Sequence, residues 1–111
     1  MIMRNVKLTA EEAKFAFQIV NAPTNPQRGM TTSEIDTRLE LFEKLEGTAD
    51  KKIVAAGEQF VFQDCEVKLK ESEFNKLIEI FTTFECWGSV EDGRKGRKLV
   101  EKIKETSKEN D

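Results

Sequence analysis

The chain has 111 residues, 38% of them hydrophobic and 35% charged, with no His, no Tyr, two Cys, two Pro and a formal net charge of −3. That length fits one domain, and at this mass about two-thirds of the unfolded surface can be buried, so a single core without disulfide or metal staples is feasible. The absence of His excludes a His general base, a His-based triad and every His-ligated metal site on this chain. A non-enzymatic protein with no cofactor and no metal is the expectation.

Val6-Lys7-Leu8 alternates as a short strand, and Thr9-Ala10-Glu11-Glu12 follows it as a capping box. Ala13, Ala16, Phe17 and Val20 recur at helical spacing, with Phe15 and Ile19 widening the face, so a helix is predicted over 10–20. Pro23 and Pro26 end it and leave a loop from 21 to 31. A second cap at Thr31 to Glu34 then precedes Ile35, Leu39, Phe42 and Leu45. These four predict a helix over 32–46 with that apolar stripe, a solvated side of Asp36, Glu40, Glu43 and Lys44, and Gly47 as the glycine past its end. Residues 48–57 allow either a short helix or an extended segment.

From Glu58 the period becomes two: Phe60 and Phe62 flank Val61, Gln63-Asp64 can turn, and Val67 and Leu69 alternate with Lys68 and Lys70, the pattern of a hairpin or of a pair of short strands. Phe74, Leu77, Ile78, Phe81 and Phe84 mark a helix over 72–86, which ends near Cys86-Trp87-Gly88. Ser89 to Asp92 resembles another cap, but Gly93 and Gly96 each cost about 1 kcal/mol relative to Ala inside a helix, which places the last helix at 94–105. Residues 106–111 carry no apolar side chain and are expected as a disordered tail behind a single compact domain of 1–105.

Residues 6–20 laid over 67–81 match at Val6 and Val67, Lys7 and Lys68, Leu8 and Leu69, Glu12 and Glu73, and Ile19 and Ile80. Convergence of two strand-to-helix units accounts for this, and so does duplication. On either reading the two VKL strands belong in one sheet with their helices on one face. The fold class expected is α+β, with a two- or three-stranded sheet (6–8, 59–63, 65–70) packed against three to four helices.

The segment Gly93-Arg94-Lys95-Gly96-Arg97-Lys98 places four cations beside two glycines. It lacks the Gly-Lys-Ser/Thr of a phosphate-binding loop and the aromatic interleaving of a single-strand binder. It reads as a solvated basic turn, as a patch for an acidic protein surface, or as a nucleic-acid contact. The acid pairs Asp64 with Glu66 and Glu91 with Asp92 read as ordinary surface charge. Cys65 and Cys86 have neither CxxC spacing nor a His partner and read as free, structural thiols in a reducing compartment. Most of the eight Phe belong in the core, and Trp87, beside a glycine at a helix end, is the aromatic best placed to anchor an interface. The candidate partner-binding residues are Trp87, Arg94, Lys95, Arg97 and Lys98.

No stretch reaches the ~18 apolar residues of a membrane span, and MIMRNVKLTAEE lacks the ~7-residue apolar core of a signal peptide. A cytoplasmic protein without a membrane partner is expected. Leu8-Thr9-x-x-Glu12, then Ser33-Glu34-Ile35-Asp36-Thr37-Arg38 through Lys44-Leu45-Glu46, then Val67-x-Leu69-x-x-Ser72-Glu73-Phe74 and a helix ending at Trp87 resembles small accessory proteins of tailed bacteriophages, many without assigned function. The resemblance covers most of residues 6–87 and implies a viral accessory or host-directed protein in a bacterial cytoplasm, with no catalytic residue to carry over. A module that binds and regulates or inhibits a host or viral protein is the first functional expectation. A nucleic-acid binder using residues 94–98 and an assembly-type homo-oligomer that buries an aromatic surface are the alternatives. Charge is segregated: residues 1–31 carry four cations and two acids, 32–93 seven and fifteen, and 94–111 seven and four. The acidic middle disfavours wrapping by nucleic acid, and the basic end offers a patch to an acidic partner.

Overall fold

The computed structural model describes residues 2–25, 27–54, 57–106 and 108–110. Strand β1 (Ile2–Leu8) runs into helix α1 (Ala10–Val20), helix α2 (Thr32–Glu46) and strand β2 (Asp50–Val54). Strands β3 (Gly57–Val61) and β4 (Cys65–Lys70) lead to helix α3 (Glu71–Thr83), helix α4 (Val90–Lys104) and strand β5 (Lys108–Asn110). One antiparallel sheet has the order β4-β1-β5, and β2 pairs with β3 in a second. The α+β class follows, with α1 and α3 on one face of the larger sheet.

That face is chosen by alternation. Val6, Leu8, Val67 and Leu69 are buried, whereas Lys7, Glu66, Lys68 and Lys70 are exposed on the other side. Arg4, which shares the inner face, spans both ends of the second half. Its guanidinium forms two parallel bonds to Glu71 at the start of α3 (3.0 and 3.1 Å), donates to the Thr106 carbonyl after α4 (2.7 Å) and lies 4.2 Å from the Phe74 ring centroid.

Val6 lies directly opposite Val67 in the antiparallel β1–β4 ladder, and these are the residues that the internal similarity equates at an offset of 61. A local two-fold axis therefore passes between them. The correspondence reaches well beyond the two strands. The helix caps Thr9 and Lys70 are equivalent, as are Glu12 and Glu73 in the first turns. The buried residues Ala13, Ala16, Ile19 and Val20 of α1 match Phe74, Leu77, Ile80 and Phe81 of α3 one for one. Helices α2 and α4 are both 15 residues long and match at an offset of 58: caps Thr31 and Ser89, then buried Arg38 with Gly96, Leu41 with Leu99, and Leu45 with Ile103. Strand β2 precedes β5 by the same offset. β1-α1-α2-β2 and β4-α3-α4-β5 are two βααβ units that share one core, with β3 outside the repeat as the partner of β2.

Two ion pairs lace the units together reciprocally. Lys44 of α2 donates to Glu73 of α3 (2.6 Å), and Lys102 of α4 donates to Glu12 of α1. Each glutamate also accepts from its own cap's backbone N–H, from Thr9 at 2.9 Å and from Lys70 at 2.8 Å. Thr9 completes the predicted box by accepting from the Glu12 N–H. At the second helix only half of the box forms, because the Glu34 carboxylate is taken by Arg28 (3.1 Å) while Thr31 accepts from the Glu34 N–H.

Several expectations are corrected. Residues 59–63 do not pair with 65–70. Phe60 and Phe62 instead reach Phe17 of α1, at centroid distances of 5.7 and 5.4 Å, so β3 leaves the main sheet and pairs with β2, the segment whose conformation the pattern left open. Gln63-Asp64 is consequently no hairpin turn: the Asp64 carboxylate accepts from the Ala10 N–H at the start of α1 (2.8 Å). The buried stripe of α2 is Arg38, Leu41 and Leu45, which leaves Ile35 and Leu39 48% and 46% exposed. Gly47 keeps a right-handed conformation (φ −65°) and terminates α2 without the left-handed turn expected of it. Helix α3 stops at Thr83, three residues short of the predicted end, where the Thr82 and Thr83 hydroxyls donate to the Ile78 and Glu79 carbonyls and Phe84 turns extended. Helix α4 starts four residues before the predicted Arg94, with Ser89 accepting from the Asp92 N–H, so both glycines lie inside it. The tail segment Lys108–Asn110 forms β5 against Ile2–Arg4. Residues 107 and 111 lie outside the described residues.

Candidate functional site

An open groove of about 980 Å³ runs along α4, floored by Phe81, Trp87 and Val100 and edged by Arg94, Arg97, Glu101 and Lys104. Its geometry starts with a glycine. A Cβ on Gly96 would sit 2.4 Å from Trp87 Cη2, closer than any side chain tolerates, so the indole packs directly against the bare backbone of α4. Phe15 stacks on it (6.1 Å, 15° between planes) and Phe84 meets it edge-on at 4.7 Å. Gly93 makes only ordinary contact with the same ring, 3.7 Å or more from a Cβ. The Gly-x-x-Gly spacing, one helical turn, is thus half a seat for Trp87 and has no demonstrated tie to phosphate. No feature of the composition distinguishes these two uses of glycine. The distance to the ring does.

The five sequence candidates do not form one patch. Trp87, Arg94 and Arg97 line the groove. Lys95 and Lys98 lie on the opposite flank of α4, facing α1, where they border a smaller hollow with Glu11, Glu12 and Phe15. Lys95 is 3.9 Å from Glu11 there. Helical rotation explains the split: residues one apart are turned about 100°, so positions 94 and 97 share a side and 95 and 98 share another. Among the described residues Arg94 and Arg97 have no ion-pair partner, although the chain carries 21 acids. Trp87 is half-buried, and it contributes the groove's apolar floor more than a protruding anchor.

The reactive groups elsewhere are occupied or subdued. Burial pushes the Cys65 thiol up, the Asp64 charge adds to this, and the Thr48 hydroxyl offsets only part of it, which disfavours the thiolate a nucleophile needs. Cys86 is exposed, and both cysteines are free thiols. Asp64 is engaged at the α1 N-terminus, and Asp92 and Glu91 sit in the first turn of α4, where acids favour the helix dipole. Sequence reasoning missed one surface, the stripe of Ile35 and Leu39 on α2. The signal that would have found it was the internal similarity carried on past residue 20. Among the described residues no helix is long and apolar enough to cross a membrane. No family model matches the chain, and no curated protein or solved structure matches it either.

Proposed function

We propose that this chain is a non-enzymatic protein-binding module, of the kind found among phage accessory proteins, that regulates or inhibits a host or viral protein by seating an acidic segment of it in the α4 groove. The observation that carries the reading is the pair Arg94 and Arg97, without an ion-pair partner among the described residues, above an apolar floor that Trp87 and Val100 provide. Arginine over an apolar, partly desolvated floor matches the composition of interface hot spots, and the guanidinium fork suits carboxylates. The missing histidines and the subdued Cys65 thiol support a role without catalysis. The nucleic-acid reading loses support because the four cations of 94–98 divide between two flanks, one of them shared with Glu11 and Glu12.

The test is capture from bacterial lysate with the full chain as bait, beside Arg94→Glu/Arg97→Glu. A stoichiometric protein held by the wild type and released by the double reversal supports the proposal. A protein retained by the reversed variant overturns it, and so does the absence of any stoichiometric protein when the wild type is itself monomeric. Nucleic acid captured in place of protein, with a steep loss on adding salt, transfers the assignment to the alternative.

A further inference from the structure

The two-unit architecture gives the α4 groove a counterpart, and the counterpart has the opposite charge. At the offset of 58 that matches α2 to α4, the groove residues Arg94, Arg97, Glu101 and Lys104 correspond to Asp36, Leu39, Glu43 and Glu46, so three cations and an acid face three acids and a leucine. The groove side of α4 therefore maps onto the outward stripe of α2, which carries Ile35 and Leu39 nearly half exposed, bordered by Asp36 and Glu43. Among the described residues neither Asp36 nor Glu43 has an ion-pair partner, just as Arg94 and Arg97 have none. Ile35 and Leu39 hold the apolar positions of the helical pattern, yet the core is filled by Arg38, Leu41 and Leu45 instead. One face is an acidic helix with apolar residues left outside. The other is a basic groove with an apolar floor.

We infer that the α2 stripe of one molecule docks into the α4 groove of a second copy of this chain, with Asp36 and Glu43 meeting Arg94 and Arg97 and with Ile35 and Leu39 against Trp87 and Val100. This rests on the reading of the α4 groove as a protein-binding site and names a partner for it. The two faces are different surfaces, so the contact is heterologous in kind: a copy with either face disabled still offers the other. Apolar burial supplies the attraction and the complementary charges supply register and selectivity, because like charges at the same positions repel.

Sedimentation equilibrium of the full chain tests it, with circular dichroism to confirm that each variant is folded. Wild type is expected above the monomer mass of 12.7 kDa as concentration rises. The excess should shrink on going from about 0.1 M to about 1 M salt, as the Debye length falls from about 10 to about 3 Å. Arg94→Glu/Arg97→Glu and Asp36→Lys/Glu43→Lys should each be monomeric alone, since each now has two faces of one sign. Mixing the two should restore association, as the intact α2 stripe of the first meets the intact α4 groove of the second. A wild type that stays monomeric at every concentration overturns the inference, and so does association that survives both reversals or fails to return on mixing. Arg94- and Arg97-dependent capture of a different protein by a monomeric wild type would overturn the second copy as partner while leaving the groove's role in place.

Discussion

Arg38 and Gly96 occupy the same position in the two units, and each fixes the loop joining its unit's two helices, by opposite means. In the first unit the helix reaches out to the loop: the Arg38 guanidinium, 6% exposed, donates to the carbonyls of Val20 (3.1 Å) and Ala22 (2.6 Å) and to the Thr24 hydroxyl (2.6 Å). In the second the loop reaches in to the helix: Trp87 lays its ring where Gly96 has no side chain. The loop after α1 is long and interrupted by two prolines, so it brings carbonyls that no helix or ladder satisfies, and a buried fork of N–H donors answers that need. The loop after α3 is shorter and carries an aromatic ring, so its hold on its own helix is an apolar contact. The two loops meet where the Glu85 N–H donates to the Thr24 carbonyl (3.0 Å). A repeated backbone thus tolerates a charged and an apolar solution at one site, provided that the loop supplies the complement.

The largest effect should come from breaking the charged solution. Arg38→Met keeps much of the volume but strands two carbonyls and a hydroxyl, and a loss of about 3 kcal/mol in urea unfolding is expected. Exposed Arg28→Met should cost well under about 1 kcal/mol by the same assay. Equal losses at the two sites would mean that the guanidinium does not hold the first loop.

Next in size is the apolar solution. Gly96→Ala should destabilise by about 2 kcal/mol, because the new methyl enters the Trp87 ring, even though Ala is the better helix former. Gly93→Ala, with room at the same ring, should gain up to about 1 kcal/mol of helix propensity. In a Trp87→Leu background the sign at Gly96 should reverse, and thermal unfolding of the four proteins decides it. Identical signs at positions 93 and 96 in the wild-type background would remove the glycine seat from the comparison.

These two sites also mark where sequence reasoning reached and where it stopped. Helices α1 and α2 were legible to the residue because caps and prolines bound them, and the placing of the two VKL strands in one sheet was legible because their alternation demands a shared buried face, whereas their being direct neighbours was not. Alternation could not choose a strand partner for Phe60 and Phe62. That choice depends on Phe17, 43 or more positions away in sequence, and on the rings' contact with α1. The inward face of α2 was misjudged since an arginine in the core is favourable only once the Val20 and Ala22 carbonyls are placed beside it. The candidate cations were visible as a cluster inside the predicted helix, and its rotation already separates 94 and 97 from 95 and 98, but which pair faces α1 depends on how α4 packs. The tail's strand depends on Ile2–Arg4 being free as a neighbour, a matter of topology and not of the tail's composition.

The smallest and most symmetric test concerns the reciprocal ion pairs. Burial pushes the Glu73 carboxyl up, but the Lys44 bond, the Lys70 N–H and both lysine charges outweigh it and hold it below the usual carboxylate range. Glu12 follows the same pattern, with burial opposed by Lys102 and the Thr9 N–H, and is likewise held low. A carboxyl that is more acidic folded than unfolded binds fewer protons in the folded state. Each pair's contribution is therefore complete above about pH 5, where the unfolded groups are ionised, and drains away as pH falls through the folded value. The Glu73 side chain is 6% exposed and that of Glu12 27%, so the first pair is the less screened by water and should matter more. Glu73→Gln should cost about 1 kcal/mol at pH 7 and Glu12→Gln less, with each difference from the wild type closing as pH falls through the folded value in urea titrations. The double variant should lose nearly the sum of the two, because the pairs share no partner. A cost at Glu12 equal to or above that at Glu73 would show that burial does not rank the two joints. A cost that persists undiminished in acid would show that neither joint works through its charge.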